Sequence, residues 1–233
     1  MEPLLSFVVP AWNEEDYIAS TIKSIQSASK EYAHEIIVVN DNSDDATAEI
    51  ARSLGVTVID VNHKHIAATR NSGAAIAKGI HIVFVDADTV VYESVVDETV
   101  SVLNNGYVAG SSFPTFDGEL PLIAIFLTPF VKYLFLLMRF GAGAYIFCTK
   151  EAFDAVGGFN EKFFAAEEVH LSKALHKEGK FKTLRSHVLT SGRKFRTHSA
   201  FQIVTTLFLV GIPGIRSIKR RKALWYGERR GDC

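Results

Sequence analysis

The sequence predicts an α/β fold, a mostly parallel sheet flanked by helices. Two observations carry this expectation. Through the first hundred residues, short apolar runs rich in β-branched side chains alternate with stretches of helical periodicity, the pattern of right-handed βαβ units. One of these runs, Val83-Phe84-Val85, ends in Asp86-Ala87-Asp88. A buried parallel strand delivers such carboxylates to the carboxyl edge of its sheet, where open α/β folds bind ligands.

Taken in order, Leu4 to Val9 reads as a strand, and Asp16 to Ala28 as a helix with Ile18, Ile22 and Ile25 on one face. Glu35 to Val39 is a second strand and Ala46 to Leu54 a second helix. Val56 to Val61, Ile66 to Lys78 and His81 to Val85 follow as strand, helix and strand. Glu93 to Leu103 reads as a further helix, before a strand near Tyr107 to Ser111. The alternation then stops. Leu120 to Met138 is almost wholly apolar, interrupted by Pro121, Thr128, Pro129, Lys132 and Tyr133. A strand-like Ala144 to Cys148, a Gly157-Gly158 turn and a helix near Glu167 to Lys177 come next. The tail runs from an apolar Phe201 to Ile215 into Arg216, Lys219, Arg220, Arg221 and Lys222.

The bulk properties narrow the function. The 233 residues suffice for one large α/β domain or two small ones. Charged residues make up 22% and the formal net charge is −1, so no global field favours nucleic acid. Basic residues concentrate from Arg193 onward. Cys148 and Cys233 form no spacing motif, which predicts a reducing cytosol without a disulfide framework or zinc knuckle. Met1-Glu2-Pro3 leads straight into a strand with no basic segment, which predicts no secretory signal.

The turns after the strands contain neither G-x-G-x-x-G nor G-x-x-x-x-G-K-[ST], so phosphate is not cradled by glycine backbone. The first reads Pro10-Ala11-Trp12-Asn13-Glu14-Glu15 and the second Asn40-Asp41-Asn42-Ser43-Asp44-Asp45. Such acidic turns repel a diphosphate unless a metal neutralises it. Asp86 and Asp88, with nothing basic beside them in sequence, are expected to hold a hard divalent cation between them.

These residues resemble the family-2 glycosyltransferases of GT-A fold. The resemblance rests on Val8 to Glu15, Val38 to Thr47, Ala68-Thr69-Arg70-Asn71-Ser72-Gly73, Asp86-Ala87-Asp88, and Gly157-Gly158-Phe159-Asn160-Glu161 followed by Glu167-Glu168. Order and spacing agree over about residues 4–180. The resemblance implies a Rossmann-like central sheet with a C-terminal acceptor-side region. It places Pro10, Ala11 and Glu14 near the base and ribose of a nucleotide-diphosphate sugar. It makes Asp41 the acceptor of a hydrogen bond from the base, and Arg70 a neighbour of the nucleotide or diphosphate. Asp86 is implied to reach ribose and metal, and Asp88 to ligate Mn²⁺ or Mg²⁺ directly. The family commonly has Glu-Asp where this chain has Glu167-Glu168, the second acid being the catalytic base. Glu168 is therefore the first choice, and the extra methylene keeps Glu167 open. Some relatives bring a histidine to the metal from the tail, which makes His198 the candidate third ligand.

Plainer readings stand beside these. Asp41 can start the second helix, although Asn42, Ser43 and Asp44 can do that in its place. Asp86 and Asp88 can cap a following helix. Arg70 can pair with a surface acid, Glu14 and Glu15 can complement a helix dipole, and Glu167-Glu168 can be a solvated face. His198 can be an ordinary surface or core histidine, and Arg193 and Arg196 contact the diphosphate, contact an anionic acceptor, or lie exposed. Leu120–Met138 is not read as a span, because a span would part the acceptor segment from Asp86 and Asp88. Phe201–Ile215 with its basic run reads as an interfacial segment on anionic lipid, or else as core.

The expectation is a GT-A domain over residues 1–200, with a nucleotide-sugar half at about 1–110 and an acceptor half at 111–200, then an apolar and basic tail at 201–233. The function expected is metal-dependent inverting glycosyl transfer to a saccharide or lipid-linked acceptor. The setting expected is cytoplasmic, on the cytoplasmic face of the membrane where peripheral. Two other classes share the layout: a sugar-1-phosphate nucleotidyltransferase, which wants a Gly-rich, Arg-containing first turn, and a non-catalytic GT-A-like binding subunit, which has no need of the acids.

Overall fold

The computed structural model describes residues 2–118, 141, 143–163 and 167–193. The central sheet is built from β1 (Leu5–Ala11), β2 (His34–Asp41), β3 (Thr57–Val61), β4 (His81–Val85), β6 (Ala109–Ser111), β8 (Tyr145–Thr149) and β9 (Phe181–Thr183). A small second sheet holds β5 (Thr89–Val90), β7 (Pro114–Phe116) and β10 (Val188–Thr190). The helices are α1 (Ile18–Ala28), α2 (Thr47–Ser53), α3 (Ile66–Ile76), α4 (Glu93–Asn104), α5 (Lys150–Ala155) and α6 (Glu167–Glu178).

The central sheet runs in the order β3-β2-β1-β4-β8-β6-β9. Strands β1 to β4 are mutually parallel, β8 runs antiparallel to both β4 and β6, and β9 is parallel to β6. Winding outward from β1 through β2 to β3, then back to β4 on the other side of β1, creates a topological switch point. A crevice opens there beyond the carboxyl ends of β1 and β4. The β1–β4 ladder ends at the Val8–Phe84 pair, two residues before Pro10, which has no N–H to donate.

The strands are apolar on both faces because both faces are covered. Phe7, Val9, Val83 and Val85 pack on one side with Ile18, Ile22 and Ile25 of α1 and Val95 and Val96 of α4. Val8, Ile37, Ile82 and Phe84 pack on the other with α3, α5 and α6. Helix α3 lies very close to the sheet: a Cβ added at Gly73 would fall 2.4 Å from a methyl of Val8. That approach brings Arg70, one turn earlier, toward the end of β4.

The first eight predicted elements are all present, with ends shifted by a few residues. Both β1 and β2 run further than expected, which carries Ala11 and Asp41 to the crevice as strand residues. The strand expected at Ala144 to Cys148 is β8, one residue later. Strands β5, β7, β9 and β10 and helix α5 were not expected from periodicity. They are two to six residues long, too short to show a period. The strands among them form because partners reach them from far away, as when Leu189 pairs with Val90. The apolar runs Leu120–Met138 and Phe201–Ile215 and the basic run behind the second lie outside the described residues. Among the described residues no helix is long and apolar enough to cross a membrane.

Gly110 of β6 sits between β8 and β9, where an added Cβ would meet the Lys182 carbonyl oxygen at 2.2 Å and the Phe147 ring at 2.3 Å. Backbone on one side and a buried ring on the other leave no room to yield. Gly110→Ala should lower stability by about 1–3 kcal/mol, the usual cost of overpacking, as a lower midpoint of urea unfolding.

Candidate active site

Strand β4 ends at Val85, and the next backbone N–H, that of Asp86, donates to the Ala144 carbonyl at 3.2 Å. This bond fixes the Asp86–Asp88 turn at the crevice. Thr89 N donates back to Asp86 O at 3.1 Å, and the buried Thr21 hydroxyl donates to Ala87 O at 2.7 Å. The turn is thus tied to β8 on one side and to α1 on the other.

Each carboxylate of the pair faces an arginine. The Arg70 guanidinium donates through one nitrogen to Asp86 Oδ1 at 2.8 Å and through another to Glu167 Oε1 at 2.8 Å. It also reaches the Gly143 carbonyl at 3.4 Å and lies 5.2 Å over the Phe159 ring. The Arg70 and Glu167 side chains are only 4% and 7% exposed. Burial works against the guanidinium's charge, but Asp86, then Glu167 and Glu168, more than restore it, so its pKa lies above the ordinary value. Arg193 does the same for Asp88: it donates to Glu14 Oε1 at 2.6 Å and to Asp88 Oδ2 at 3.1 Å, and lies 4.8 Å over the Tyr17 ring. The premise that nothing basic stands beside the two aspartates is therefore corrected. It fails in space because α3 supplies Arg70 from 16 residues away and the end of β10 supplies Arg193 from 105 residues away.

Pairing of β10 with β5 makes the second contact. The Thr190 hydroxyl donates to Asp88 Oδ1 at 3.2 Å, Ser191 N donates to Asp88 O at 3.1 Å, and Gly192 N is held by Asp117 Oδ1 at 2.7 Å. Neither Thr190 nor Asp117 was singled out from sequence, since two- and three-residue strands give no signal. Arg193 was noticed only as a cation of uncertain partner.

The two glutamates are sorted by position. Glu167 is buried and taken up by Arg70. Glu168 is half-buried, and its carboxyl lies over Gly143, where an added Cβ would be 3.2 Å from Oε1. Gly143 adjoins Ala144, the partner of Asp86. Burial, then the charge of Glu167, push the Glu168 carboxyl up to about 8, against the pull of Arg70. A carboxyl held near neutrality is suited to taking a proton. Asn71, next to Arg70, ties in the segment before α6: it donates to Phe159 O and Glu161 Oε1 at 2.9 Å each and accepts from Phe159 N at 2.9 Å.

Asp41 stands apart from this cluster. It is buried and accepts four hydrogen bonds, from the N–H groups of His63, Lys64 and His65 at 2.7, 2.9 and 3.2 Å and from the Thr69 hydroxyl at 2.9 Å. These use the roughly four acceptor sites of a carboxylate, so accepting from a nucleobase would require giving one up. Asp41 starts neither helix: it gathers the His63–His65 loop that leads into α3 and holds Thr69 of its first turn. For α2, Asp45 Oδ1 accepts from Thr47 N at 3.0 Å. Ser43 and Asp44 instead bind Asn13: Asn13 N donates to the Ser43 hydroxyl at 3.0 Å and Asp44 N to Asn13 Oδ1 at 3.0 Å. Asn13 and Asn42 take the left-handed backbone (φ 53° and 58°) that lets the two acidic turns interlock. Glu15 belongs to the same seam, accepting from Ala46 N at 3.0 Å. Pro10 and Ala11 line the end of β1, both buried. His198 and Arg196 lie outside the described residues.

Two guanidiniums face four carboxylates here (Glu14, Asp86, Asp88, Glu167), a surplus of two negative charges. Hard oxygen donors with that surplus suit Mg²⁺ or Mn²⁺. Among the described residues no three His, Cys, Asp or Glu side chains gather as a ready metal cage.

Comparison with known proteins accords with this architecture. The model of glycosyl transferase family 2 matches residues 6–159. The glycosyltransferase EpsJ of Bacillus subtilis is 37% identical over 93 residues, covering 38% of this chain and 27% of that protein. The 4,4'-diaponeurosporenoate glycosyltransferase of Staphylococcus aureus is 37% identical over 90 residues, covering 36% and 24%. The chain thus spans about a quarter of the length of these relatives. Among solved structures, the mannosyltransferase PcManGT of Pyrobaculum calidifontis, in complex with GDP-Man and Mn²⁺, superposes with a TM-score of 0.70 at 19% identity, covering 84% of this chain and 60% of that one. S. aureus TarS 1–349 with UDP-GlcNAc gives 0.67 at 16% identity, covering 97% and 70%. These likenesses show the GT-A fold.

Removing the Arg70 guanidinium strands Glu167 in the core. Arg70→Met should destabilise the fold by about 3–5 kcal/mol, the usual cost of leaving a buried charge without its partner. Glu167→Gln in the same background should recover part of that loss, read by urea unfolding of the four proteins of the cycle.

Proposed function

Because this chain belongs to glycosyl transferase family 2, we propose that it transfers a sugar, with inversion, from a nucleotide-diphosphate donor to an acceptor hydroxyl. The observation that supports this most is Arg70, which joins Asp86 of the aspartate turn to Glu167 at the start of the helix that carries Glu168.

Glu168 acts as general base. It takes the proton of the acceptor hydroxyl, the acceptor oxygen attacks the anomeric carbon, and the bond from that carbon to the diphosphate oxygen breaks with its electron pair leaving on the diphosphate. Glu167 positions the base by pinning the start of α6 to Arg70. Asp86 and Asp88, with His198 as a further candidate, would hold Mn²⁺ or Mg²⁺, which when bound neutralises charge on the leaving diphosphate. Pro10, Ala11 and Glu14 face the nucleoside, and Asp41 shapes its pocket through the His63–His65 loop that it gathers. The donor half is residues 1–110 and the acceptor half 111–200.

The acceptor is a saccharide or lipid-linked saccharide. Residues 201–233 hold the enzyme on an anionic membrane surface at the cytoplasmic face, through the apolar Phe201–Ile215 and the basic residues behind it. The full chain should co-sediment with vesicles of anionic lipid at low salt and release at high salt. Equal recovery in the supernatant with and without vesicles contradicts this placement.

The raised Glu168 pKa sets two expectations. Only the ionised base works, so kcat/KM should climb with pH and level off above about 8, and Glu168→Gln should lower kcat by about 10²–10⁴-fold. A carboxyl whose folded pKa lies above its unfolded value favours folding at low pH, and that contribution is lost as pH rises through about 8. Glu168→Gln should therefore melt higher than the parent at pH 9 and differ least at pH 4. A flat pH–rate profile with unchanged turnover in Glu168→Gln would falsify the assignment.

A further inference from the structure

Arg193 sits directly against Asp88, the carboxylate read above as a metal ligand. Its guanidinium lies 3.1 Å from Asp88 Oδ2 and 2.6 Å from Glu14 Oε1. The three side chains are 15%, 9% and 7% exposed, so solvent screens the contact little. The other oxygen of Asp88 is held by Thr190 at 3.2 Å. Each Asp88 oxygen thus already accepts one hydrogen bond, and the positive charge held against Oδ2 opposes a second cation at the same oxygen. Thr190 keeps the carboxylate oriented.

We propose that Arg193 is a resident counter-cation that competes with the divalent ion for Asp88 and Glu14. The inference rests on the reading above, in which Asp88 holds Mn²⁺ or Mg²⁺. In the metal-free protein Arg193 neutralises the Asp88–Glu14 pair, which would otherwise place two carboxylates together in a poorly screened crevice at the cost of the fold. When the ion enters, one positive charge is exchanged for two and Arg193 is released toward the mouth of the crevice. The energetic consequence is a reduced apparent metal affinity, scaled by the small fraction of molecules in which Arg193 is already off. The position of Arg193 makes this exchange local. Its neighbours Ser191 and Gly192 are pinned by the Asp88 carbonyl and by Asp117, which fixes the backbone from which Arg193 reaches Asp88.

The test is Mn²⁺ binding to the full chain without donor, read from the electron paramagnetic resonance signal of free Mn²⁺. If about one molecule in ten is unlatched, Arg193→Met should bind Mn²⁺ about tenfold more tightly than the parent. Equal or weaker binding by Arg193→Met overturns the competition alone and leaves the cation reading standing, whereas no binding by either protein overturns both. A second measurement needs no variant. Phenylglyoxal should label Arg193 of the parent slowly without metal and faster with saturating Mn²⁺, scored peptide by peptide by mass spectrometry. Labelling that is unchanged or slowed by Mn²⁺ overturns the proposal.

Discussion

A single buried guanidinium, that of Arg70, holds the two halves of the crevice in one geometry. It reaches Asp86 at the end of β4 and Glu167 at the start of α6, and it touches Gly143 on the approach to β8. Burying a charge is costly unless paired, and the cost here is met by two carboxylates at once and by the Phe159 face. Because both partners are needed, the distance between the aspartate turn and the glutamate helix is not free to drift. The close seating of α3 on β1 through Gly73 sets where that guanidinium stands.

The second arginine follows a different logic. Arg70 sits among packed elements, whereas Arg193 closes the crevice from its mouth, at the end of a three-residue strand. The same charge chemistry thus serves two purposes: a permanent link in the interior and an exchangeable one at the rim. Asn71 adds a neutral tie, using its whole amide on the Phe159–Glu161 segment. Acceptor-side and donor-side segments are therefore anchored by neighbouring residues of α3.

The long elements were legible in the sequence because their periodicity is set by burial on both faces of the sheet. Leu5–Ala11 and His81–Val85 are almost wholly buried, and their short length and β-branched residues mark such apolar runs as strands. The Asp86–Asp88 turn, Arg70 and the Glu167–Glu168 pair were legible too, as residue types at recognisable places. What was not legible was their pairing. Charge in sequence gave no hint that Asp88 meets Arg193, since that contact depends on β5 and β10, strands of two and three residues that form only through pairing with strands distant in sequence. Asp41 shows the same limit from the other side. Its position at the end of β2 was foreseen, but its bonds to the His63–His65 loop and to Thr69 depend on how the β3–α3 loop folds back.

Donor turnover tests the Asp88 site most directly. The measurement is release of nucleoside diphosphate from a panel of nucleotide sugars by the full chain with Mn²⁺, compared with Asp88→Ala. Turnover of at least one donor by the parent, abolished in Asp88→Ala, is the result predicted. A correctly folded parent that turns over none of them, or an Asp88→Ala protein as active as the parent, would contradict it.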